Sequence, residues 1–159
     1  MTTIKSPAIY LAQFIGGKEP FNSLDGMCKW VSGLGYKAIQ LPTWDMKLFD
    51  LNLASESKDY CDEMLGILRK YGLELAEICS YLQGQVMAVH PVYEKLFQNF
   101  YPKGYNDNQR CEWATDQLIR TIKASVCLGT TNISVLSGGF AWPYIPVASA
   151  AGRIYCRSV

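Results

Sequence analysis

Residues 29–42 read KWVSGLGYKAIQLP, and this stretch contains the unit from which the chain is built: the end of an amphipathic helix, a glycine and a short apolar strand. The same order returns at residues 66–79, GILRKYGLELAEIC, and at residues 123–138, KASVCLGTTNISVLSG. The glycines Gly35, Gly72 and Gly129 are typical of helix C-termini, because glycine adopts the left-handed conformation without a Cβ penalty. The repeat therefore predicts three helix–strand units in succession.

The helices of these units are marked by apolar residues at a spacing of three to four. The pattern runs from residue 24 to 34, from 60 to 71 and, less regularly, from 113 to 126. Candidate N-caps precede the first two helices: Asn22 or Ser23, and Ser55 or Ser57. A further strand is predicted from residue 8 to 14, before the first helix.

The resulting order, β-α-β-α-β-α-β, predicts an α/β fold with a parallel sheet and right-handed crossovers. Two architectures share this order: an open doubly wound sheet, and a (β/α) barrel, whose eight units take roughly 250 residues. No G-x-G-x-x-G follows the first strand, so the dinucleotide-binding fingerprint is missing. An insert from residue 84 to 108 follows the third strand.

Composition excludes several classes of function. A net charge of +1 without a clustered basic run argues against a nucleic-acid partner. No apolar stretch approaches the roughly 18 residues of a membrane span, and no signal-peptide cleavage site is expected. The six cysteines form no C-x-x-C pair and the chain has one histidine, which argues against the common zinc-binding patterns. We expect reduced thiols and a cytoplasmic protein.

Four segments resemble a known family: YLAQF at 10–14, GYKAIQLPTWD at 35–45, LQGQVMAVHP at 82–91 and SGGFAWPY at 137–144. They are similar to segments of sugar phosphate isomerase/epimerase-like proteins with the xylose isomerase-like TIM barrel. The resemblance runs from about residue 6 to Ile145 and implies that residues 1–145 form the N-terminal half of such a barrel, since a whole barrel takes roughly 250 residues.

The resemblance also implies a reaction. Full-length members would isomerise or epimerise a sugar or related polyol by proton transfer next to a carbonyl, with Mn²⁺ or Mg²⁺ polarising the substrate. Their metal ligands would come from later strands, so we expect no metal ligands and no tight metal binding in this chain, which is then inactive alone. An AP-endonuclease-like activity is a weaker alternative, because it needs several histidines and a basic face.

The active face of a barrel lies at the C-terminal ends of its strands. There the sequence predicts a small-molecule, sugar-like substrate contacted by Trp44, Asp45, Gln83, His90 and Trp142. His90 is also the candidate catalytic residue, because histidine transfers protons near neutral pH. The alternatives are a loop or cap carboxylate for Asp45, an ordered loop histidine for His90 and a packing role for Trp142.

Three further features have open interpretations. Glu77 either points into the barrel mouth or pairs with a basic residue. The sequence Ser137-Gly138-Gly139 either offers backbone N–H groups to an anion or forms a tight turn. The aromatic residues of the insert form either a lid or a satellite cluster: Tyr93, Phe97, Phe100, Tyr101 and Tyr105.

The last stretch, residues 146–159 (PVASAAGRIYCRSV), has neither a helical nor a strand period and departs from the resembled family. A loss of two bases just after Ile145 would convert codons for the family's continuation, PWPQRPAG, into codons for this tail. We therefore interpret the tail as aberrant, from a frameshift or a sequencing error. The competing hypothesis is a non-catalytic fragment stabilised by a partner or by self-association through exposed strand edges.

Overall fold

A computed structural model describes residues 7–140 of the chain. In chain order its elements are β1 (Ala8–Tyr10), α1 (Leu24–Gly33), β2 (Ala38–Pro42), α2 (Leu51–Glu56), α3 (Lys58–Lys70), β3 (Glu74–Cys79), α4 (Tyr81–Gln85), α5 (Glu94–Phe97), α6 (Asp107–Leu128) and β4 (Ile133–Ser134). Within this part of the chain, no helix combines the length and the apolar character needed to cross a membrane.

The four strands form one parallel sheet in the order β1-β2-β3-β4. Side chains from α1, α3 and α6 join a single apolar core with one face of this sheet. A doubly wound sheet has helices on both faces and a strand order that reverses, whereas a barrel adds its strands sequentially and carries its helices outside. The prediction of parallel (β/α) units forming about half of a TIM barrel is therefore confirmed, and the doubly wound alternative is excluded.

The core lies between the sheet and the helices. The strands contribute Ile9, Ile39, Leu41 and Ile78, all of them buried. The helices contribute Leu24, Met27, Cys28 and Val31 from α1, Cys61 and Leu68 from α3, and Ala124 and Leu128 from α6. Side chains alternate between the two faces of a strand. The neighbours of these core residues within each strand therefore lie on the opposite face of the sheet.

The predicted helix ends are confirmed. Ser23 caps α1 by accepting a hydrogen bond from the Gly26 N–H, and Ser57 caps α3 in the same way from Tyr60. The three repeat glycines have positive φ angles, with Gly35 at 87°, Gly72 at 65° and Gly129 at 70°. These values lie in the left-handed region, where a side chain is strained.

The strand predicted from residue 8 to 14 is wrong beyond Tyr10. The buried Leu11 still donates its N–H to the Gln40 carbonyl, but residues 12–14 form a 3₁₀ turn. This turn brings Phe14 against Phe21 and Trp30, with ring centroids 6.4 and 4.9 Å away. Aromatic packing therefore takes precedence over further strand pairing. The predicted tail, residues 146–159, and Trp142 lie outside the described residues.

Candidate functional site

A row of polar side chains crosses the sheet on the face opposite the helices. Tyr10 pairs with Gln40 between β1 and β2, and Gln40 pairs with Glu77 between β2 and β3. Each follows or precedes a core residue in its strand, so the alternation of strand side chains directs all three away from the core. All three are half-buried, which fits the partly covered inner face of a barrel.

The row continues onto β4 and onto the first residue of α4. Ser134 donates its hydroxyl proton to Glu77 Oε2 over 2.8 Å. The Gln40 side-chain amide donates to the Tyr81 hydroxyl over 3.2 Å. Of the two alternatives for Glu77, pairing with a basic residue is not observed among the described residues, where its carboxylate accepts a hydrogen bond from Ser134.

Aromatic rings border the row on one side. The Tyr81 ring lies 5.7 Å from that of Tyr10 and 6.1 Å from that of Trp44, between ring centroids. Burial, and then the neighbouring Cys79 thiol, raise the pKa of the Tyr10 hydroxyl. Burial likewise raises the pKa of Cys79 to about 12. Both groups therefore carry their protons at neutral pH and act as neutral hydrogen-bonding groups.

Two of the predicted substrate-binding residues meet in a cavity beside this row. Trp44 and Gln83 both line a cavity of about 410 Å³ between the loop after β2, α4, the insert and α6. Gln83 is almost fully buried and donates from Nε2 to the Thr43 hydroxyl. The structure therefore brings Trp44 and Gln83 together in a cavity lined by loops and helices, and Trp44 also borders the strand-face row through its contact with Tyr81.

Asp45 stabilises the turn that follows β2. Its Oδ1 accepts a hydrogen bond from the Lys47 N–H over 2.9 Å, and its carbonyl accepts from Leu48 and Phe49. These bonds build the turn that follows β2, as the loop-carboxylate alternative holds.

His90 lies in the insert, at the start of a 3₁₀ turn over residues 91–93. Its Nδ1 accepts a hydrogen bond from the Val92 N–H over 3.2 Å, and its ring lies 6.4 Å from that of Tyr93. Nδ1 is thus used within the insert. The remaining predicted contact residue, Trp142, is not among the described residues.

Two glycines, Gly84 in α4 and Gly138 after β4, allow a close backbone crossing. A Cβ on Gly138 would lie 2.2 Å from the Ala88 carbonyl oxygen, and one on Gly84 would lie 2.3 Å from that of Leu136. The Gly138 N–H donates to the Gly84 carbonyl over 3.1 Å. This amide is therefore used in packing α4 against the chain after β4, and the anion-binding alternative does not apply to it.

Four of the five aromatic residues named in the insert belong to a satellite cluster, one of the two predicted alternatives, whereas Tyr105 is exposed and is not part of it. Val86, Val89 and Ala114 are its buried centre. The rings around them are Tyr93, Phe97, Phe100, Tyr101 and Trp113. Arg110, almost fully buried, donates to the Val86 carbonyl and lies over the Tyr101 ring, which ties the insert to α6.

The strand-face row does not fit a divalent metal. Mg²⁺ and Mn²⁺ need several oxygen or imidazole ligands converging on one point. Among the described residues no group of three or more His, Cys, Asp or Glu side chains converges in this way. Glu77 is the one carboxylate of the row, and its Oε2 accepts from Ser134.

Sequence reasoning missed Tyr10, Gln40, Tyr81 and Ser134 as site residues. A signal for two of them was present: Gln40 is a polar residue inside the apolar run AIQLP, and Tyr10 follows two apolar residues at the end of β1. A polar residue inside a parallel strand with helices on its other face must lie on the inner face. Tyr81 and Ser134 carry no comparable pattern.

Comparison with known proteins agrees with this architecture. A family profile described as xylose isomerase-like TIM barrel matches residues 28–155, which is most of the chain. No curated protein matches the sequence. The profile covers β2, β3 and β4 with the helices between them, the part of the sheet that carries most of the polar row. The chain belongs to the xylose isomerase-like TIM barrel family.

Proposed function

We propose that the polar row positions a sugar or related polyol for isomerisation or epimerisation by proton transfer next to its carbonyl. The observation that carries the proposal is the alignment of Tyr10, Gln40 and Glu77 in neighbouring register on the face away from the core. Membership of the xylose isomerase-like family supports the same class of substrate. The row supplies hydroxyl, amide and carboxylate groups, which match the alternating donors and acceptors of a polyol.

In this proposal Glu77 is the group that moves the proton. A carboxylate can take a proton from the carbon next to a carbonyl and return it to a neighbouring carbon. The Ser134 hydroxyl fixes the carboxylate by its hydrogen bond to Oε2. The Tyr81 hydroxyl accepts from Gln40, which leaves its own proton to donate to a substrate oxygen.

No step of this proposal passes through a metal, because the described residues do not fit one. The divalent metal implied by the family would need ligands from beyond these residues. The chain by itself is accordingly proposed to position the substrate and to exchange its proton slowly, with little net turnover without those ligands.

A second candidate function is that of a non-catalytic fragment stabilised by self-association. The observation favouring it is an apolar stripe on the solvent side of α6, formed by Ile119, Ile122 and Val126, all exposed. In a complete barrel the next helix would cover this side of α6. Both edge strands of the described sheet, β1 and β4, also have only one neighbour there.

Equilibrium binding tests the main proposal. Calorimetric titration of the purified chain with xylitol, an open-chain polyol, is expected to show binding that Gln40→Ala weakens about tenfold, the effect of one lost hydrogen-bonding group. Gln98→Ala, at an exposed position of the insert, is the matched control and should bind as the unmodified chain does. Equal affinity in all three proteins, or no binding at all, would contradict the proposal.

A further inference from the structure

Another cavity opens where the strands begin, at the end of the sheet remote from the proposed reaction site. Its lining comes from the C-terminal half of α3, from the start of β3 and from residues 128–132, which lead from α6 into β4. The active face of a barrel lies at the opposite, C-terminal ends of the strands. No residue of the polar row lines this cavity, and its volume of about 480 Å³ falls within the roughly 300–1,000 Å³ of ligand pockets.

The cavity exists because β4 is short. Its two residues pair only with Ile78 and Cys79, so the first part of β3 has no strand beside it on this side in the described sheet. The Asn132 side chain takes the place of one strand hydrogen bond by donating from Nδ2 to the Ala76 carbonyl over 3.0 Å. A space therefore remains between α3 and the chain that leads into β4.

Five leucines form the apolar part of the lining. Leu68, Leu73 and Leu128 are buried, and Leu65 and Leu75 are half-buried. No aromatic side chain is among the described residues of the lining. The surface is therefore aliphatic, and it fits an aliphatic group better than a flat ring or a polyol.

Two opposite charges lie in the same lining without being paired. Arg69, near the end of α3, and Glu74, at the start of β3, are both exposed. Neither forms an ion pair with the other or with any other described residue. The neighbouring Lys70, by contrast, is paired with Asp25 over 2.7 Å. A cation and a carboxylate beside one apolar surface are thus free to contact a ligand that carries both opposite charges.

We propose that this cavity binds a free aliphatic α-amino acid of about the size of leucine. Its carboxylate accepts from the Arg69 guanidinium, whose forked donors match a carboxylate, and its ammonium group donates to Glu74. Its side chain lies against the leucines. A fatty acid would bring a like charge to Glu74, and an aliphatic amine would do the same to Arg69, so the lining favours a zwitterion over either. The site is separate from the proposed function, since no residue of the polar row takes part.

Nuclear magnetic resonance of the full chain with methyl-labelled leucines tests the proposal. The probe is L-leucine, which is expected to shift the methyl groups of Leu68 and Leu128. Glycine lacks the aliphatic group and is expected to bind at least about tenfold more weakly. L-leucinamide lacks the carboxylate and 4-methylpentanoate lacks the ammonium group. Each should bind roughly three- to fivefold more weakly than leucine, the effect of one lost ion pair at an exposed position.

Two variants assign each ligand charge to its partner. Arg69→Gln should bind leucine and leucinamide equally, whereas Glu74→Gln should bind leucine and 4-methylpentanoate equally. Each variant removes one preference and keeps the other, a pattern that a general loss of structure does not produce. Lys123→Gln and Glu63→Gln are the matched controls, because they change the same charges at exposed positions outside the lining and should keep both preferences.

The proposal is overturned if leucine shifts the methyl groups of neither Leu68 nor Leu128, or if glycine binds as tightly as leucine. It is also overturned if Arg69→Gln still prefers leucine to leucinamide, or if Glu74→Gln still prefers leucine to 4-methylpentanoate. These outcomes leave the proposed function as it stands, because binding of xylitol is tested separately by Gln40→Ala.

Discussion

Ser134 Oγ lies 2.8 Å from Glu77 Oε2 and joins β4 to the carboxylate of the strand-face row. The two residues are 57 positions apart, and only the parallel pairing of β3 with β4 brings them together. This bond orients the one carboxylate of the row. It also makes the row continuous across all four strands of the described sheet.

Glu77→Gln should keep the hydrogen bond with Ser134 and lose proton transfer to and from the substrate. The amide oxygen still accepts from Ser134, so the free energy of unfolding should change by less than about 1 kcal/mol. The amide cannot take a proton, so deuterium incorporation next to the carbonyl of a ketose in D₂O should fall roughly 100-fold, measured by proton NMR. Glu74→Gln, at the exposed start of the same strand, is the control. Exchange that survives in Glu77→Gln would show that another residue moves the proton.

Gly84→Ala should be strongly destabilising. The added Cβ would lie 2.3 Å from the Leu136 carbonyl oxygen and 2.6 Å from Val135 Cγ1, both too close for van der Waals contact. Overpacking of this kind costs roughly 1–3 kcal/mol, so the urea midpoint should drop accordingly.

The control for this variant is Gly66→Ala in α3. An added Cβ there meets nothing within 4 Å, and alanine forms helix better than glycine. Gly66→Ala should therefore raise the free energy of unfolding by roughly 0.5–1 kcal/mol. If both alanine variants had the same stability, the close crossing at Gly84 would be wrong.

Stability should fall at alkaline pH. Burial raises the pKa of Cys28 and of Cys79 from 9.0 to about 12. Between these values the unfolded chain has released both thiol protons while the folded chain retains them, so the free energy of unfolding declines as pH rises above 9. A series of melting temperatures from pH 8 to pH 10.5 measures the decline.

Cys28→Ala should flatten this dependence, although it also lowers the starting stability by leaving a small cavity. Cys111→Ala, at an exposed position of α6, should leave the slope as it is. Parallel pH curves for all three proteins would contradict a role for the buried thiol.

Self-association should depend on the apolar stripe of α6. Ile122→Lys combined with Val126→Lys places two charges where the side chains are 57% and 76% exposed, and should shift sedimentation towards the monomer. Glu112→Lys also changes the net charge by +2, at another exposed position of α6, and should leave the sedimentation unchanged. A monomeric unmodified chain with a cooperative melt would contradict self-association.

The sequence predicted the repeated units of helix, glycine and strand because each unit is specified by residues that are close together in the sequence. Gly35, Gly72 and Gly129 take the positive φ angles that their positions after helices imply. The short helix α2 was missed, since six residues show less than two turns of periodicity, and its cap at Asp50 resembles any loop aspartate. The early end of β1 was missed because Phe14 packs on the rings of Phe21 and Trp30, which lie later in the sequence.

The site was less accessible to sequence reasoning. Trp44 and Gln83, both predicted as substrate contacts, line one cavity, and the lining of that cavity comes from loops and helices. The polar row depends on register, because Gln40 meets Glu77 only after an irregularity in the pairing of β2 with β3. No local pattern specifies such a register. The Gly84–Gly138 crossing is likewise a tertiary contact, which a glycine pair in the sequence cannot distinguish from a turn.

An NMR titration of the isotope-labelled chain with xylitol, read residue by residue, tests directly whether the strand-face row positions the substrate. We expect shifts at the Gln40 side-chain amide and at the backbone amides of Glu77 and Ser134, and little change at the Trp113 indole. Shifts that leave Gln40, Glu77 and Ser134 unmoved at saturating polyol would contradict the claim that the strand-face row is the substrate-positioning site.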